Sequence, residues 1–211
     1  MQITEIAIIV FAYLLGSIPT AVWVGKWFYK LDVREHGSGN AGATNVMRVL
    51  GAKAGIPVLV FDMFKGWLAV YLTFLSSFNF DSNTFVTYQI IVGIAAVVGH
   101  IFPIFAQFKG GKGVATVAGA VLAINPAGTL IAVAVFIVVL LSTKYVSVGS
   151  MMGGISFPIT VFIIYPSPYI SMKIFSIAVA IMLITTHTKN IQRLLAGEEK
   201  KAGFLVKKKN D

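Results

Sequence analysis

Apolar residues in this chain run in long unbroken blocks, without the strict alternation of a half-buried strand. The blocks fall at 3–24, 57–77, 84–105, 114–124, 127–142, 151–165 and 169–186. A helix crossing a hydrocarbon core of roughly 30 Å needs about 20 such residues. The fourth block, VATVAGAVLAI, is too short for that, and NPAG at Asn125–Gly128 breaks the chain after it. Residues 114–142 are therefore either one kinked helix or two short ones. The choice sets a total of six or seven membrane helices.

Polar residues collect in the connections 25–56, 106–113 and 143–150 and in the tail after Thr186. With seven helices all four segments fall on one face. Of the 17 Lys and Arg, 16 then lie on or near it, with only Lys173 opposite. A six-helix count scatters them. The excess of basic residues on cytoplasmic loops makes that face cytoplasmic. The pattern predicts an all-α integral membrane protein: a bundle of seven transmembrane helices, N-terminus external and C-terminus cytoplasmic. It forms a single domain over 1–211 with a basic tail from about 187. MQITEIAIIVFAYLLGSIPTAVWV has no Lys or Arg before Lys26, so it reads as a retained first helix and not as a signal peptide. Trp23, Trp27, Phe28 and Tyr29 read as interfacial anchors. LLAGEEKKAGFLVKKKND reads as a surface helix with a frayed basic end, its Lys207–Lys209 run solvated or touching lipid.

Composition agrees. Of 211 residues, 57% are hydrophobic and only 12% charged, against about 25% charged in a soluble domain. Mean hydropathy is +0.84. A net charge of +9 would suggest nucleic acid in a soluble chain. Here no nucleic-acid partner is expected, and the basic residues point to the bilayer, anionic headgroups or phosphorylated substrates. There is no Cys, which excludes disulfides and thiolate chemistry.

Four polar motifs carry candidate chemistry. The first is EHGSGNAGATNVMRVLG, Glu35 to Gly51. Ser38 or Asn40 can cap a following helix, and Gly51 can end it. Thr44 and Arg48, four apart, share a face of that helix. A helix N-terminus with an arginine one turn in suits a phosphate; an ordinary capped glycine turn is the competing reading. Gly37, Gly39 and Gly42 also match a dinucleotide fingerprint, with Asp62 at the ribose position. The required strand is missing, so that reading is rejected. The second motif is FKGGKGVAT, Phe108 to Thr116. It is not a Walker A loop, because Ala106 and Gly113 stand where Gly and Ser or Thr are needed. Backbone donors, a helix N-terminus and Lys109 and Lys112 can still face one anion. The third is STKYVSVGS, Ser142 to Ser150, where a helix-capping turn is the default. The fourth is THTKNIQR, Thr186 to Arg193, which puts His187 and Asn190 on one helical face. Arg193 reads as a lipid contact, and no metal site is expected because nothing completes one. Asp62 and Lys65, three apart in a membrane helix, read as a structural ion pair. His100 reads as a hydrogen-bonding residue within the bundle.

Loops of this kind at a membrane surface suit a substrate with one or two phosphates and a partner with an acyl chain. GSIPTA, GSGNAGATNVMR, GHIFPIFAQFKGGKGVAT, TKYVS and HTKNIQRLLAGEE resemble the bacterial acyl-phosphate:glycerol-3-phosphate acyltransferase family (PlsY) from about Leu15 to Glu199. The resemblance implies acyl transfer from acyl phosphate to the 1-hydroxyl of glycerol 3-phosphate, giving lysophosphatidic acid and inorganic phosphate. That is the first acylation of bacterial phospholipid synthesis, at the cytoplasmic side of the inner membrane. It implies functional roles for Ser38, Asn40 and Arg48. It makes Lys109, Lys112, Gly110, Gly111 and Gly113 the glycerol-phosphate loop, and adds Ser147 or Ser150, His187 and Asn190. Glu199 has a structural look. Which lysine and which serine dominate stays open. No cofactor is called for, and the enzyme that makes acyl phosphate is a candidate partner.

The chemistry stands beside the resemblance. An acyl phosphate already carries a good leaving group, so the site needs only to hold two phosphates, orient a hydroxyl and stabilise the carbonyl oxygen. The common H-x-x-x-x-D acyltransferase pattern is absent: Ala41, Phe105 and Gln192 follow the three histidines at that spacing. The general base stays open: His187 orients the substrate, or a substrate phosphate, which titrates near pH 6, takes the hydroxyl proton. A transporter would place its polar residues at the bilayer midplane, and a phosphotransferase would need clustered acids for Mg²⁺. Neither pattern is present.

Overall fold

A computed structural model describes residues 2–80 and 82–203. Regular structure among them is helical throughout: α1 (Ile3–Gly16), α2 (Thr20–Tyr29), α3 (Ala43–Leu50), α4 (Ala52–Tyr71), α5 (Asn83–Ile101), α6 (Val114–Ile124), α7 (Pro126–Thr143), α8 (Val146–Ile159), α9 (Ile170–Thr186) and α10 (Thr188–Leu195). A 3-10 turn, Leu72–Leu75, extends α4, and a π turn, Thr160–Ile164, extends α8.

Each of the seven apolar blocks forms helix, and several bounds depart from expectation. The first block is not one helix. It bends by 40° between α1 and α2, because Pro19 has no N–H to continue the ladder. The second begins at Ala52, ahead of its apolar run, because its first turn carries Lys53. The Ser142–Ser150 connection shrinks to Lys144 and Tyr145, so Ser147 and Ser150 stand on the first turns of α8. The tail is helical only to Leu195; residues 196–203 are irregular, and the Lys207–Lys209 run lies outside the described residues. The break after Ile124 makes two helices. Pro126 opens α7, and the Asn125 side chain accepts from Gly128 N at 2.8 Å as its cap.

Four helices are long and apolar enough to cross a membrane alone; α1 with α2 and α9 with α10 form two bent pairs that qualify together, and α6 is a shorter apolar helix. Their number and hydropathy fit a multi-pass membrane protein. Its outer surface fits lipid: Leu130, Val138 and Leu141 of α7 and Ile170, Ile174 and Ile181 of α9 are largely exposed.

Inside, α4 packs on α6, α1 on α5, α7 on α8, and α8 on α9. Small residues permit the closest approaches, as is usual where dispersion drives helix association. A Cβ on Gly66 would overlap the Thr116 carbonyl, and one on Gly119 would overlap that of Met63. One apolar core joins Val97, Val121, Phe157, Phe175 and Leu183. A second joins Ile8, Ala12, Ala69 and Val92. A third, of Ala21, Val33, Val46 and Val58, pins α3 and its loop to α2 and α4. At the opposite end the buried Glu5 accepts from Ser77 Oγ at 2.9 Å, and Tyr88 donates to the Glu5 carbonyl at 2.9 Å.

Candidate active site

The four polar motifs meet at one end of the bundle. The first loop is built on two side chains. Asp32 accepts from Arg34 N and Nε, each at 3.0 Å, and from Nη2 at 2.7 Å. Those bonds hold the Asp32 carboxyl far below its ordinary range despite burial. Arg34 Nη1 donates to the Ala106 carbonyl at 3.0 Å, tying the first loop to the second. Asn45 is buried, and its Oδ1 accepts from Ser38 N at 2.8 Å and Ser38 Oγ at 3.0 Å. Its Nδ2 donates to the carbonyls of Val33 and His36. The expected cap by Ser38 or Asn40 is therefore corrected. α3 starts after Gly42 without a side-chain cap, because Asn45 engages the Ser38 hydroxyl. Asn40 is half-buried; Thr44 and Arg48 are exposed on one face of α3, as their spacing predicts. Gly51 ends the helix as expected.

The second loop folds back on α5. Gly110 N donates to the Ile101 carbonyl and Gly111 N to the His100 carbonyl, both at 3.1 Å. Helix ends leave such carbonyls without partners, and these two glycines satisfy them. A Cβ on either glycine would overlap His100. The expectation that these two N–H groups face an anion is corrected on that ground. What stays available is the first turn of α6 after Gly113, together with Lys112. Lys109 is exposed, and its N–H bonds the Ala106 carbonyl.

Lys112, half-buried, donates through Nζ to Asn190 Oδ1. Asn190 Nδ2 donates to Glu199 Oε1 at 2.6 Å, and Ser147 Oγ donates to the same oxygen at 2.9 Å. Arg193 Nε donates to Glu199 Oε2 at 2.8 Å, so Arg193 is a partner of Glu199 and not the lipid contact its position suggests. Ser150 turns away, donating to the Val146 carbonyl at 2.9 Å. Of the paired candidates, Lys112 and Ser147 enter the cluster; Lys109 and Ser150 do not. Main-chain contacts close it: Ala202 N donates to the Lys144 carbonyl at 2.8 Å, holding the segment that carries Glu199.

His187 is buried at the junction of α9 and α10. Its Nδ1 lies 2.7 Å from the Leu183 carbonyl. A carbonyl only accepts, so Nδ1 carries the proton and Nε2 is an acceptor. Burial and then the Lys112 charge push the ring down to about 4, so it is neutral at pH 7. Burial pushes Lys112 down to about 8; Glu199 opposes this, while Arg193 and Arg48 reinforce it. Burial raises Glu199, but the bonds from Arg193, Asn190 and Ser147 outweigh it and hold the carboxyl below its ordinary value. Asn45, Arg34 and Asp32 are not singled out by the sequence pattern. Their only signal is a charged pair just ahead of the glycine run. Among the described residues no three metal-ligating side chains cluster.

Chemically, the cluster offers cations and the Ser147 hydroxyl for a phosphate, with a neutral imidazole beside them. Both Glu199 oxygens are occupied, so that carboxylate scaffolds the site.

A model of the glycerol-3-phosphate acyltransferase family matches residues 6–197. A glycerol-3-phosphate acyltransferase of Fusobacterium nucleatum is 44% identical over 196 residues, covering 93% of this chain and 97% of that protein. One from Listeria monocytogenes serovar 1/2a is 43% identical over 205 residues, covering 97% and 100%. Two crystal structures of PlsY, an integral membrane glycerol 3-phosphate acyltransferase, superpose at 37% identity, each covering 95% of this chain and 96% of the other. The glycerol 3-phosphate form has a TM-score of 0.85 and the lysophosphatidic acid form 0.81.

Proposed function

This chain belongs to the glycerol-3-phosphate acyltransferase family, and from that premise we propose that it transfers a fatty acyl group from acyl phosphate to the 1-hydroxyl of glycerol 3-phosphate, releasing lysophosphatidic acid and inorganic phosphate. The observation that carries the reading is the chain Lys112–Asn190–Glu199–Ser147, which draws three separate motifs into one cationic cluster beside the first glycine loop. Related structures in glycerol 3-phosphate and lysophosphatidic acid forms support the acceptor and product.

Lys112 and Arg48 neutralise phosphate charge, and Ser147, Asn190 and His187 orient the acceptor. Ser38 takes part in catalysis from the first glycine loop, and Asn40 and Thr44 bind substrate beside it. Catalysis is then positioning and electrostatic stabilisation, with no covalent intermediate required. The neutral His187 accepts through Nε2, and a substrate phosphate is the alternative proton acceptor. The seven apolar helical segments span the inner membrane as a single domain, with the site cytoplasmic and the N-terminus external. This orientation rests on the charge bias of the loops. The enzyme that makes acyl phosphate is the natural supplier, because a mixed anhydride hydrolyses readily in water.

The test is purified protein with acyl phosphate and glycerol 3-phosphate, scoring phosphate release, with acyl-CoA as the competing donor. Release with acyl phosphate is expected. No release above background, or a clear preference for acyl-CoA, would overturn the reading.

A further inference from the structure

Behind the second loop lies a buried polar centre that the reaction above does not use. Asp62 and Lys65 of α4 are both buried, with Lys65 Nζ 2.8 Å from Asp62 Oδ1. Thr20 Oγ1 donates to the same oxygen at 3.2 Å, and His100 Nδ1 lies 3.6 Å from it. Lys65 Nζ also donates to the Ile18 carbonyl at 3.0 Å, in the break between α1 and α2. The cavity among these residues and Gly110, Gly111 and Ala41 has a volume of about 10 Å³. That is room for about one water and no substrate. Whatever this centre does for the reaction, it does through its neighbours.

Those neighbours are the loop itself. The His100 carbonyl accepts from Gly111 N, and the ring lies so close that Gly111 has no room for a Cβ. The next residue is Lys112. Stability alone is a poor reason for the pair. Exchanging a buried ion pair for apolar residues of similar volume is often neutral or stabilising, whereas removing one partner is costly. Ionisable groups in membrane helices are rare and are retained mainly for function.

We propose that Asp62, Lys65 and His100 are positioning residues: the ion pair seats His100, and His100 sets the Gly110–Gly111 turn that aims Lys112 at the phosphate. The proposal rests on the acyltransferase reading above. A misplacement of about 1 Å can cost on the order of 100-fold in rate, so a loosened turn should be visible in substrate kinetics.

The test compares wild type with Asp62→Leu/Lys65→Met, which keeps volume and removes both charges, and with His100→Gln, which leaves the ion pair intact. We expect both variants to keep the wild-type melting temperature in detergent or exceed it. Each should raise the KM for glycerol 3-phosphate by about 10-fold or more, with kcat changed much less. A folded variant with wild-type KM overturns the proposal. Loss of folding in both variants overturns it too, because the centre would then be packing alone. An inactive wild type would instead sink the acyltransferase reading, so the two failures are distinguishable.

Discussion

Glu199 and Asp62 are both buried or largely buried carboxylates engaged by cationic side chains, yet they are built on opposite plans. Asp62 sits three residues from Lys65 on one helix, sealed from solvent. Glu199 lies on an irregular segment beyond the last helix and gathers Ser147 of α8 with Asn190 and Arg193 of α10. Through Asn190 it reaches Lys112, before α6. The helical pair can form as soon as α4 forms. The Glu199 centre exists only when all its segments have docked. A group facing substrate must be partly open and must be assembled from several elements; a group that steadies a loop can be closed and local. The difference separates a centre built for contact from one built for support.

The sharpest way to break this comparison is to remove the cations expected to face substrate. Lys112→Ala and Arg48→Ala should each lower phosphate release by about 100-fold or more, the scale of losing one charge-stabilising group in a site. The melting temperature should stay near wild type, since neither residue belongs to an apolar core. Near-wild-type turnover in either would disconnect this end of the bundle from the chemistry.

Next in size is the hub. Glu199→Gln keeps an acceptor for Asn190 and Ser147 but loses the ion pair with Arg193. A cost of about 1–3 kcal/mol in stability is expected, measured by thermal unfolding in detergent. It also removes the opposing charge that keeps Lys112 protonated. In wild type the log of kcat/KM should fall as pH rises through about 8, where free Lys112 loses its proton. In the variant that limb should move to lower pH. For stability the sign is the reverse. The folded state holds Lys112 below its ordinary value, so the cost of burying the charge is present in full below pH 8. It is relieved between about 8 and the ordinary lysine range near 10.4. A pH limb that does not move would separate Glu199 from Lys112.

The smallest effects should come from the residues left outside. Lys109→Ala and Ser150→Ala are expected to change kcat/KM by less than about 3-fold, because Lys109 is an exposed side chain away from special contacts and the buried Ser150 hydroxyl bonds only the Val146 carbonyl of its own helix. Ser147→Ala should cost more than Ser150→Ala in the same assay. The reverse order would mean the Glu199 cluster rearranges in the working enzyme.

Much of this is legible in the sequence. Hydropathy located the apolar helical segments, and NPAG located the break between α6 and α7. The spacing of Asp62 and Lys65 announced an ion pair because three residues along a helix bring two side chains together. The failures share a cause. Gly110 and Gly111 looked like anion donors because glycine frees a backbone, and no local rule says where freed N–H groups will turn. They turned to the carbonyls at the end of α5. Arg193 looked like a lipid contact because its partner, Glu199, stands beyond the end of its helix, where helical spacing has no force. Asn45 went unremarked because a buried amide that organises a loop looks like any other asparagine.

Sequence by itself determined what is local: which segments are apolar enough to be helices, and where proline and glycine interrupt them. Periodicity and solvent transfer act over a few turns, so a one-dimensional reading captures them. Only the tertiary structure decided which of two lysines and which of two serines enter the cluster, and that Glu199 joins them. Those outcomes depend on helices meeting across distances in the chain that no spacing rule spans. The choice is made by docking geometry and by the cost of leaving buried polar groups unpaired.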